Sequence, residues 1–463
     1  MFGLFLYKGK CGMDKKLSKS NYFFIGSMLF GLFFGAGNLI FPVHMGQEAG
    51  YKVWTACTGF ITTGTGLTFL GIVAMGLSAK KNLFDLAGLV SKGWAYFFTI
   101  LLYLTIGPFF ALPRTGTVSY TIGFSNIIPS EYSMLALFIF TLVFFGMALI
   151  FSLYPSKILL WVGKIFNPLF LIIISLLILF AIFNPMSDVS TLAPNENYMN
   201  QAFFKGFTEG YNTMDAIAAL AFGVIVVDTL KDLGVKEDKA IVISLAKAGF
   251  VSVVLMVLIY AGLSFVGAQS GGLFGISENG GIALAQITHH YFGSLGNIVL
   301  AIIVFLACIK TAIGLISACS DIFAEMFPRF LSYKIYACIF AGFSIVVANL
   351  GLSSIISYSI PALMFIYPLV IVTIFLAMFT KRFDNSRIVW TAAIVVTGIF
   401  SIGDFLNALP KVLSESKYIS PIINIYKKMP LFDIGMSWLI PVLITVAVSL
   451  VIHFSKRKML NRS

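Results

Sequence analysis

The first long apolar run of the chain reads, at its centre, Phe33-Phe34-Gly35-Ala36-Gly37-Asn38-Leu39-Ile40-Phe41-Pro42. Two glycines, an amide and a proline oppose a continuous helix at a depth where apolar residues surround them. Unwinding there frees backbone N–H and C=O groups, which a membrane tolerates only where they line a cavity or bind a ligand. The stretch therefore predicts a helix that stops and restarts within a membrane. Close helix packing through Gly31 and Gly35 is the alternative.

The composition of the whole chain indicates an integral membrane protein. Of its 463 residues, 59% are apolar and only 11% are charged, whereas soluble domains are about a quarter charged. A spanning helix needs about 20 mostly apolar residues. About twelve runs qualify, so we expect an all-α polytopic membrane protein with about 12 transmembrane helices. The runs are 21–49, 53–78, 93–123, 132–153, 156–183, 202–230, 239–267, 292–326, 335–351, 354–379, 388–408 and 432–454.

Several function classes are disfavoured. The formal net charge is +12, but Lys and Arg do not cluster with aromatic residues as nucleic-acid binding requires, so no nucleic-acid partner is expected. No nucleophile-elbow or zinc-protease motif is present, which disfavours an enzyme. No cofactor is expected beyond a sodium ion. The cysteines lie mostly inside apolar runs without metal-ligand spacing, and we expect small buried hydrophobes there: Cys11, Cys57, Cys308, Cys319 and Cys338.

Orientation follows from the distribution of cations. If the N-terminus is cytoplasmic, most of the 31 Lys and Arg residues fall in cytoplasmic segments. This pattern predicts a multi-pass protein of the inner (plasma) membrane with both termini cytoplasmic, including tails at 1–20 and 455–463. The loop at 409–431 fits this rule worst, because it carries Lys411, Lys417, Lys427 and Lys428 on the outer side.

The sixth run carries a second polar interruption, Glu209-Gly210-Tyr211-Asn212-Thr213-Met214-Asp215. One interpretation is an extracellular loop that precedes the helix. The other is a second broken helix. Breaks in runs one and six are typical of two inverted repeats with a transport site between them. We therefore expect a first repeat at 21–183, a second repeat at 202–379 and two further helices within 388–454.

Four stretches resemble a known family. The segment 26–42, followed by Gly46 and Gly50, closely resembles the opening of the BrnQ-type branched-chain amino acid:cation symporters, and 210–215, 307–316 and 344–352 resemble later parts of them. The resemblance extends over nearly the whole chain. It implies uptake of leucine, isoleucine and valine driven by sodium or protons, and a leucine-transporter-like fold with a 5+5 inverted repeat and helices 1 and 6 broken.

The two interruptions supply a candidate substrate site for a zwitterion. N–H groups at a half-helix N-terminus can receive a carboxylate, and freed carbonyls can receive an ammonium. Asn38 could orient the carboxylate or ligate a cation. Asp215 is either a functional acid within the membrane or a cap of the second half-helix. The expected substrate-binding residues are Gly35, Ala36, Gly37, Asn38, Tyr211, Asn212, Thr213 and Asp215.

The resemblance also implies a cation site between the first and eighth runs, where carbonyls of Gly31 and Phe34 would face Ala307, Lys310 and Thr311. An ammonium cannot ligate sodium, but it can occupy the sodium position and donate to those carbonyls. Lys310 therefore puts sodium coupling in doubt. Its placement one helical step off the site is the alternative.

The remaining expectations concern Arg114 and the alternative functions. Arg114 is expected to snorkel to the outer interface rather than to act as an outer gate. The alternative functions are a sodium-independent uniporter or exchanger, an ion channel and an intramembrane enzyme. The expected partners remain the three branched-chain amino acids, a coupling sodium ion or proton, and membrane lipid.

Overall fold

The computed structural model describes residues 18–124, 128–153, 167–232, 234–235 and 237–460, and no strand occurs among them. Apolar helices account for nearly all of these residues. The principal helices, in chain order, are α1 Lys19–Phe33, α2 Ala36–Ala49, α3 Val53–Ile61, α4 Thr68–Ser78, α5 Lys92–Leu104, α6 Ala111–Phe124, α7 Ser133–Leu153, α8 Asn167–Phe183, α9 Ala202–Glu209, α10 Asp215–Asp232, α11 Asp238–Phe274, α12 Gly280–Met326, α13 Tyr333–Ala348, α14 Leu352–Phe379, α15 Arg387–Asn407 and α16 Leu439–Leu460.

The helices fit a lipid environment. Eight helical segments of the described ranges are long and apolar enough to cross a membrane, and two shorter apolar helices accompany them. Helix α7 turns large apolar side chains outward, among them Leu135, Phe138 and Leu142. Such a face is stable against lipid but not against water. The protein is therefore a multi-pass helical membrane protein. The count of about twelve spans stays a prediction, and the run 156–183 lies partly outside the described residues.

Three expected runs differ from the observed helices. A π-helical turn over 62–67 interrupts the run 53–78. A second one over 105–109 interrupts 93–123, where Gly107 is non-helical and Pro108 lacks a backbone N–H. Helix α12 begins at Gly280, twelve residues before the expected start, and kinks at Gly293, whose φ is 61°. Hydropathy did not predict these irregularities because they do not change the apolar character of the segments.

The last expected run also begins later than predicted. Residues 432–434 form a 3-10 turn, and α16 begins at Leu439. Two short helices, Lys411–Ser414 and Ser420–Tyr426, occupy the preceding loop. Apolar side chains of that loop, such as the buried Phe432, explain why hydropathy extended the run into it.

Glycines allow the broken helices to approach their neighbours closely. A Cβ at Gly46 of α2 would collide with the carbonyl oxygen of Ser264 in α11, and one at Gly267 would collide with that of Val43. This is a reciprocal contact in which each helix backbone lies against a glycine of the other. The same arrangement joins α3 to α9, through Gly59 and Gly206.

The cysteines mostly meet the expectation of buried hydrophobes. Cys57, Cys308 and Cys319 are buried free thiols. Cys338 is exposed on α13, which contradicts the expectation at that position. An apolar run has a lipid-facing side as well as an inner side, and hydropathy does not distinguish them. Cys11 lies outside the described residues.

The orientation can be tested at two exposed positions on either side of the second interruption. In a chain without native cysteines, Asn200→Cys should react with an impermeant thiol reagent added to intact cells, because Asn200 precedes α9 on the expected outer side. Lys239→Cys, at the start of α11, should react only after permeabilisation. Mass-shift labelling measures both, and the reversed pattern would contradict the orientation.

Candidate functional site

The first interruption lies between α1 and α2. Helix α1 ends at Phe33, Phe34 and Gly35 are non-helical, and α2 begins at Ala36. The backbone N–H of Gly35 donates to Oδ1 of Asn38 at 2.8 Å, so the amide satisfies a backbone group that the break leaves free. Small-residue packing does not explain Gly35, because a Cβ there would make an ordinary contact with Thr311 at 3.4 Å.

The second interruption also has a helix on each side. Helix α9 ends at Glu209, a 3-10 turn covers 210–213, and α10 begins at Asp215. Met214 lies in the left-handed region with φ 60°, which costs a non-glycine residue about 1–2 kcal/mol. An extracellular loop before a single helix is therefore wrong, and the polar cluster lies inside a broken helix.

Side chains from both interruptions and from α11 meet in a polar cluster formed by Asn38, Asp215 and Tyr260. Nδ2 of Asn38 donates to Oδ2 of Asp215 at 2.6 Å and lies 2.5 Å from the hydroxyl oxygen of Tyr260. The Tyr260 hydroxyl donates to the same carboxylate oxygen at 3.0 Å. All three side chains are buried. The Asn38 amide thus links the two broken helices, and Asp215 does more than cap α10.

Arg114 lies inside the protein, where 2% of the residue is exposed, so the expected snorkelling is wrong. Its Nη1 donates to the carbonyl of Asn212 at 2.6 Å, and its Nη2 lies 3.5 Å from Oγ of Ser359. The guanidinium carbon is 4.8 Å from the centre of the Phe41 ring. A free carbonyl at the second interruption and an aromatic face give the cation a better environment inside than hydropathy indicates.

This placement also changes the expected ammonium site. The carbonyl of Asn212 accepts from Arg114, and that of Tyr211 accepts from the backbone N–H of Met214 at 3.0 Å. The hydroxyl of Thr213 donates to the carbonyl of Gly210 at 2.9 Å. Two of the three carbonyls expected to receive an ammonium therefore have donors already, and a carboxylate replaces them as the best acceptor nearby.

Gly37 lies in the first turn of α2, at the N-terminus of the second half of the broken helix. Its position requires a small residue. A Cβ on Gly37 would lie 3.2 Å from Nη1 of Arg114 and 3.2 Å from Cε2 of Phe41. The guanidinium therefore approaches the backbone of the first turn of α2. Ala36, also buried, begins that turn.

The residues expected at the cation site are placed as follows. Thr311 of α12 lies beside Gly35, and its hydroxyl donates to the carbonyl of Ala307 at 3.1 Å. Gly31 and Phe34 are buried at the end of α1 and in the first interruption. Lys310 is half-buried and precedes Thr311 on α12. The eighth run therefore meets the first interruption at Thr311, and the role of Lys310 stays a prediction.

Sequence reasoning missed Tyr260 and Tyr367. Tyr367 of α14 stacks on Tyr211 with ring centroids 4.1 Å apart and planes at 12°. Each residue places a phenolic hydroxyl within a long apolar helix, and Tyr367 precedes Pro368. A polar atom that is costly in lipid is the signal that could have found them.

The chain is similar to known proteins over nearly its whole length. The family described as branched-chain amino acid transport protein matches residues 18–456. The chain belongs to that family. A branched-chain amino acid permease BrnQ of Lactobacillus delbrueckii subsp. lactis is 43% identical over 438 residues, 94% of this chain and 97% of that protein. The permeases BrnQ of Bacillus subtilis and Escherichia coli K12 are 43% and 36% identical, over 93% and 95% of this chain and 96% and 97% of theirs.

The fold is that of a known transporter structure. The inward-facing conformation of Mhp1 matches with a TM-score of 0.58 and 15% identity, over 94% of this chain and 91% of that one. A closed conformation of Mhp1, a nucleobase-cation-symport-1 family transporter with bromovinylhydantoin bound, matches with a TM-score of 0.60 and 13% identity, over 93% and 91%. At such low identity the likeness concerns the fold alone.

The contact between Gly37 and Arg114 generates a prediction. Gly37→Val should weaken leucine binding more than tenfold, about 1.4 kcal/mol or more, because the added methyl groups displace the guanidinium. Equilibrium binding of labelled leucine to the purified protein measures this. Gly398→Val is the control, since a Cβ there has open space around it. Unchanged affinity in a folded Gly37→Val protein would remove the first turn of α2 from the site.

Proposed function

We propose that this protein carries leucine, isoleucine and valine across the plasma membrane by alternating access around the two interrupted helices. Membership of the family and the transporter fold support this reading. Twelve spans, with both termini cytoplasmic, would place the interruptions near the middle of the membrane. Discontinuous helices at corresponding positions of two repeats are typical of transporters that bind their substrate there.

The proposed inverted repeat rests on how the broken helices pack. Helix α11 contacts both halves of the first broken helix, α1 and α2. Conversely, α3 and α4, which follow the first broken helix, contact the two halves of the second: α3 contacts α9 and α4 contacts α10. Each broken helix thus lies against the helix that follows the broken helix of the opposite segment. This exchange is what a repeat at 21–183 packed against an inverted copy at 202–379 would produce.

A pair of buried opposite charges carries the proposal. Asp215 and Arg114 are each 2% exposed, and no salt bridge within the described ranges involves either of them. A buried charge without an ionic partner is unfavourable by several kcal/mol, and such residues in membrane spans are typically functional. A zwitterionic amino acid would compensate both charges at once. Its ammonium would approach Asp215, and its carboxylate would approach Arg114.

The local geometry agrees with this arrangement. Arg114 contacts Asn212, three residues before Asp215, and also approaches Gly37, which precedes Asn38. The two charges are therefore joined through both interruptions. The N-termini of α2 and α10 begin beside the site, and their dipoles favour the anionic groups there. Aromatic side chains, including Phe41 beside Arg114 and Phe60 beside Tyr260, provide apolar surface for a branched tail.

Charge substitutions test the two ends of the zwitterion. Arg114→Gln and Asp215→Asn should each lower the affinity for leucine more than tenfold, because truncating one partner of a buried charge pair costs about 2–5 kcal/mol. Binding of labelled leucine to purified protein measures the loss. Glu131→Gln, at an exposed carboxylate, is the control. Wild-type affinity in either site variant would contradict the assignment of that residue.

We extend the proposal to coupling, with Lys310 in the place of a sodium ion. The placement of Thr311 beside Gly35 supports contact between α12 and the first interruption. An ammonium in that position would exclude tight sodium binding by electrostatic repulsion. Uptake would then be driven by protons or proceed as sodium-independent uniport or exchange. The second candidate is sodium bound elsewhere, near Asn38 and the substrate carboxylate. Channel and enzyme functions have no comparable support.

Proteoliposome uptake of labelled leucine, with sodium and proton gradients imposed separately, tests function and coupling together. We expect wild-type uptake without sodium. Lys310→Thr, which supplies an oxygen, should weaken uptake or make it respond to sodium. Strict sodium dependence of the wild type, together with normal uptake by Lys310→Met, would make the lysine a bystander. Absence of uptake under every gradient would contradict transport itself.

A further inference from the structure

A cavity lies beside the second interruption, and none of Asn38, Asp215 and Tyr260 lines it. Its volume is about 440 Å³, and it is bounded by α9, by the first part of α14, by the end of α15 and by the loop before α16. Under the predicted orientation these segments face the outside. Its volume is in the range of pockets that hold small molecules. It is many times the roughly 30 Å³ that one water molecule occupies.

The cavity wall contains a carboxylate that the central site does not use. Asp404 of α15 is 2% exposed, and no cation forms a salt bridge with it among the described residues; the donors beside its carboxylate are the backbone N–H and the hydroxyl of Ser437, and neither makes a well-formed hydrogen bond to it. The hydroxyl of the neighbouring Ser437 donates instead to the carbonyl of Phe400 at 3.1 Å. A buried carboxylate without a cation beside it is among the costliest groups in a protein interior. Its position in a cavity wall indicates that a ligand supplies the missing positive charge.

The other charges of the cavity leave Asp404 uncompensated. Lys205 forms a salt bridge with Glu209 on the same helix, at 2.5 Å, so that lysine is already neutralised. Asp433 adds an exposed carboxylate at the rim. The field in the cavity is therefore negative and selects for a cation.

The remaining wall favours an organic cation over a bare inorganic ion. Apolar side chains of Phe204, Ile360, Leu363 and Met364 line the same space. An inorganic ion gains nothing from such surface, whereas an alkyl tail gains about 25 cal/mol for each Å² that it buries. We propose that this cavity is a second binding site, for a primary ammonium compound with a short apolar tail, whose charged group binds Asp404.

The wall between the two sites suggests how the cavity is used, and this part rests on the proposed function. Tyr211 and Asn212 line the cavity. Tyr211 stacks on Tyr367, and the carbonyl of Asn212 accepts from Arg114 at the central site. A branched-chain amino acid bound at Asp404 would be separated from the central site by this one layer of side chains. The cavity would then be its waiting position on the outer side.

The test uses isopentylamine, which has the ammonium and branched tail of leucine without its carboxylate. Its hydrochloride should raise the thermal unfolding midpoint of the purified wild type relative to potassium chloride of equal ionic strength. Asp404→Asn should lose this shift or need at least tenfold more amine for it. Asp404→Glu should keep it. Glu415→Gln, at an exposed carboxylate outside the cavity, should respond as the wild type does.

Three further arms give decisive outcomes. Ala408→Phe fills the cavity while it keeps the carboxylate, and it should also lose the shift, which covers the case in which Asp404→Asn does not fold. Asp215→Asn should keep the shift. If Asp215→Asn abolishes it and Asp404→Asn does not, the amine binds at the central site and the inference is overturned while the proposed function stands. If sodium chloride raised the unfolding midpoint in an Asp404-dependent way and isopentylamine did not, the site would bind an inorganic cation. The proposal of an organic ligand would then be wrong.

Discussion

The hydrogen bonds among Asn38, Asp215 and Tyr260 are the interaction on which the rest of the site depends. Two helices that end in the interior of the protein leave backbone groups that need partners there. The side-chain amide of Asn38 bonds to groups of both interruptions, because its oxygen accepts from Gly35 and its nitrogen donates to Asp215. One amide therefore closes the first interruption and ties it to the second. Gly37 and Arg114 lie next to the two segments that this amide joins.

Buried charges lie both at the central site and in the wall of the neighbouring cavity. At the centre, Asp215 and Arg114 form no salt bridge within the described part of the chain, and in the proposed function they bind the two ends of an amino acid. Beyond the layer of Tyr211 and Tyr367, a cavity contains one more uncompensated carboxylate, Asp404. Each buried charge raises the free energy of the empty protein, so each supports selective binding of a ligand that neutralises it. Stability is thus lower than an apolar interior of the same size would give.

Much of this could be predicted from the sequence, and the limits have physical causes. The first interruption was predictable because its signal, glycine and asparagine next to a proline, is local. The partners of Asn38 were not, since they lie 177 and 222 residues away along the chain. The location of Arg114 was predicted wrongly because hydropathy measures the cost of a cation in lipid. It does not report the carbonyl of Asn212, which accepts a hydrogen bond from the guanidinium. The kink at Gly293 was not predicted because a bend does not alter the average hydropathy of a helix.

The reciprocal glycine contacts between α2 and α11 have an evolutionary consequence. Inserting one residue between Val43 and Gly46 would rotate the rest of α2 by about 100°, and a side chain would then meet the backbone of Ser264. The same holds where Gly59 and Gly206 join α3 to α9. A change of length at 411–418, where most side chains are exposed, would disturb no glycine contact of this kind. At these two helix crossings, in contrast, an insertion or deletion would bring a side chain into a contact between two backbones and would push the helices apart.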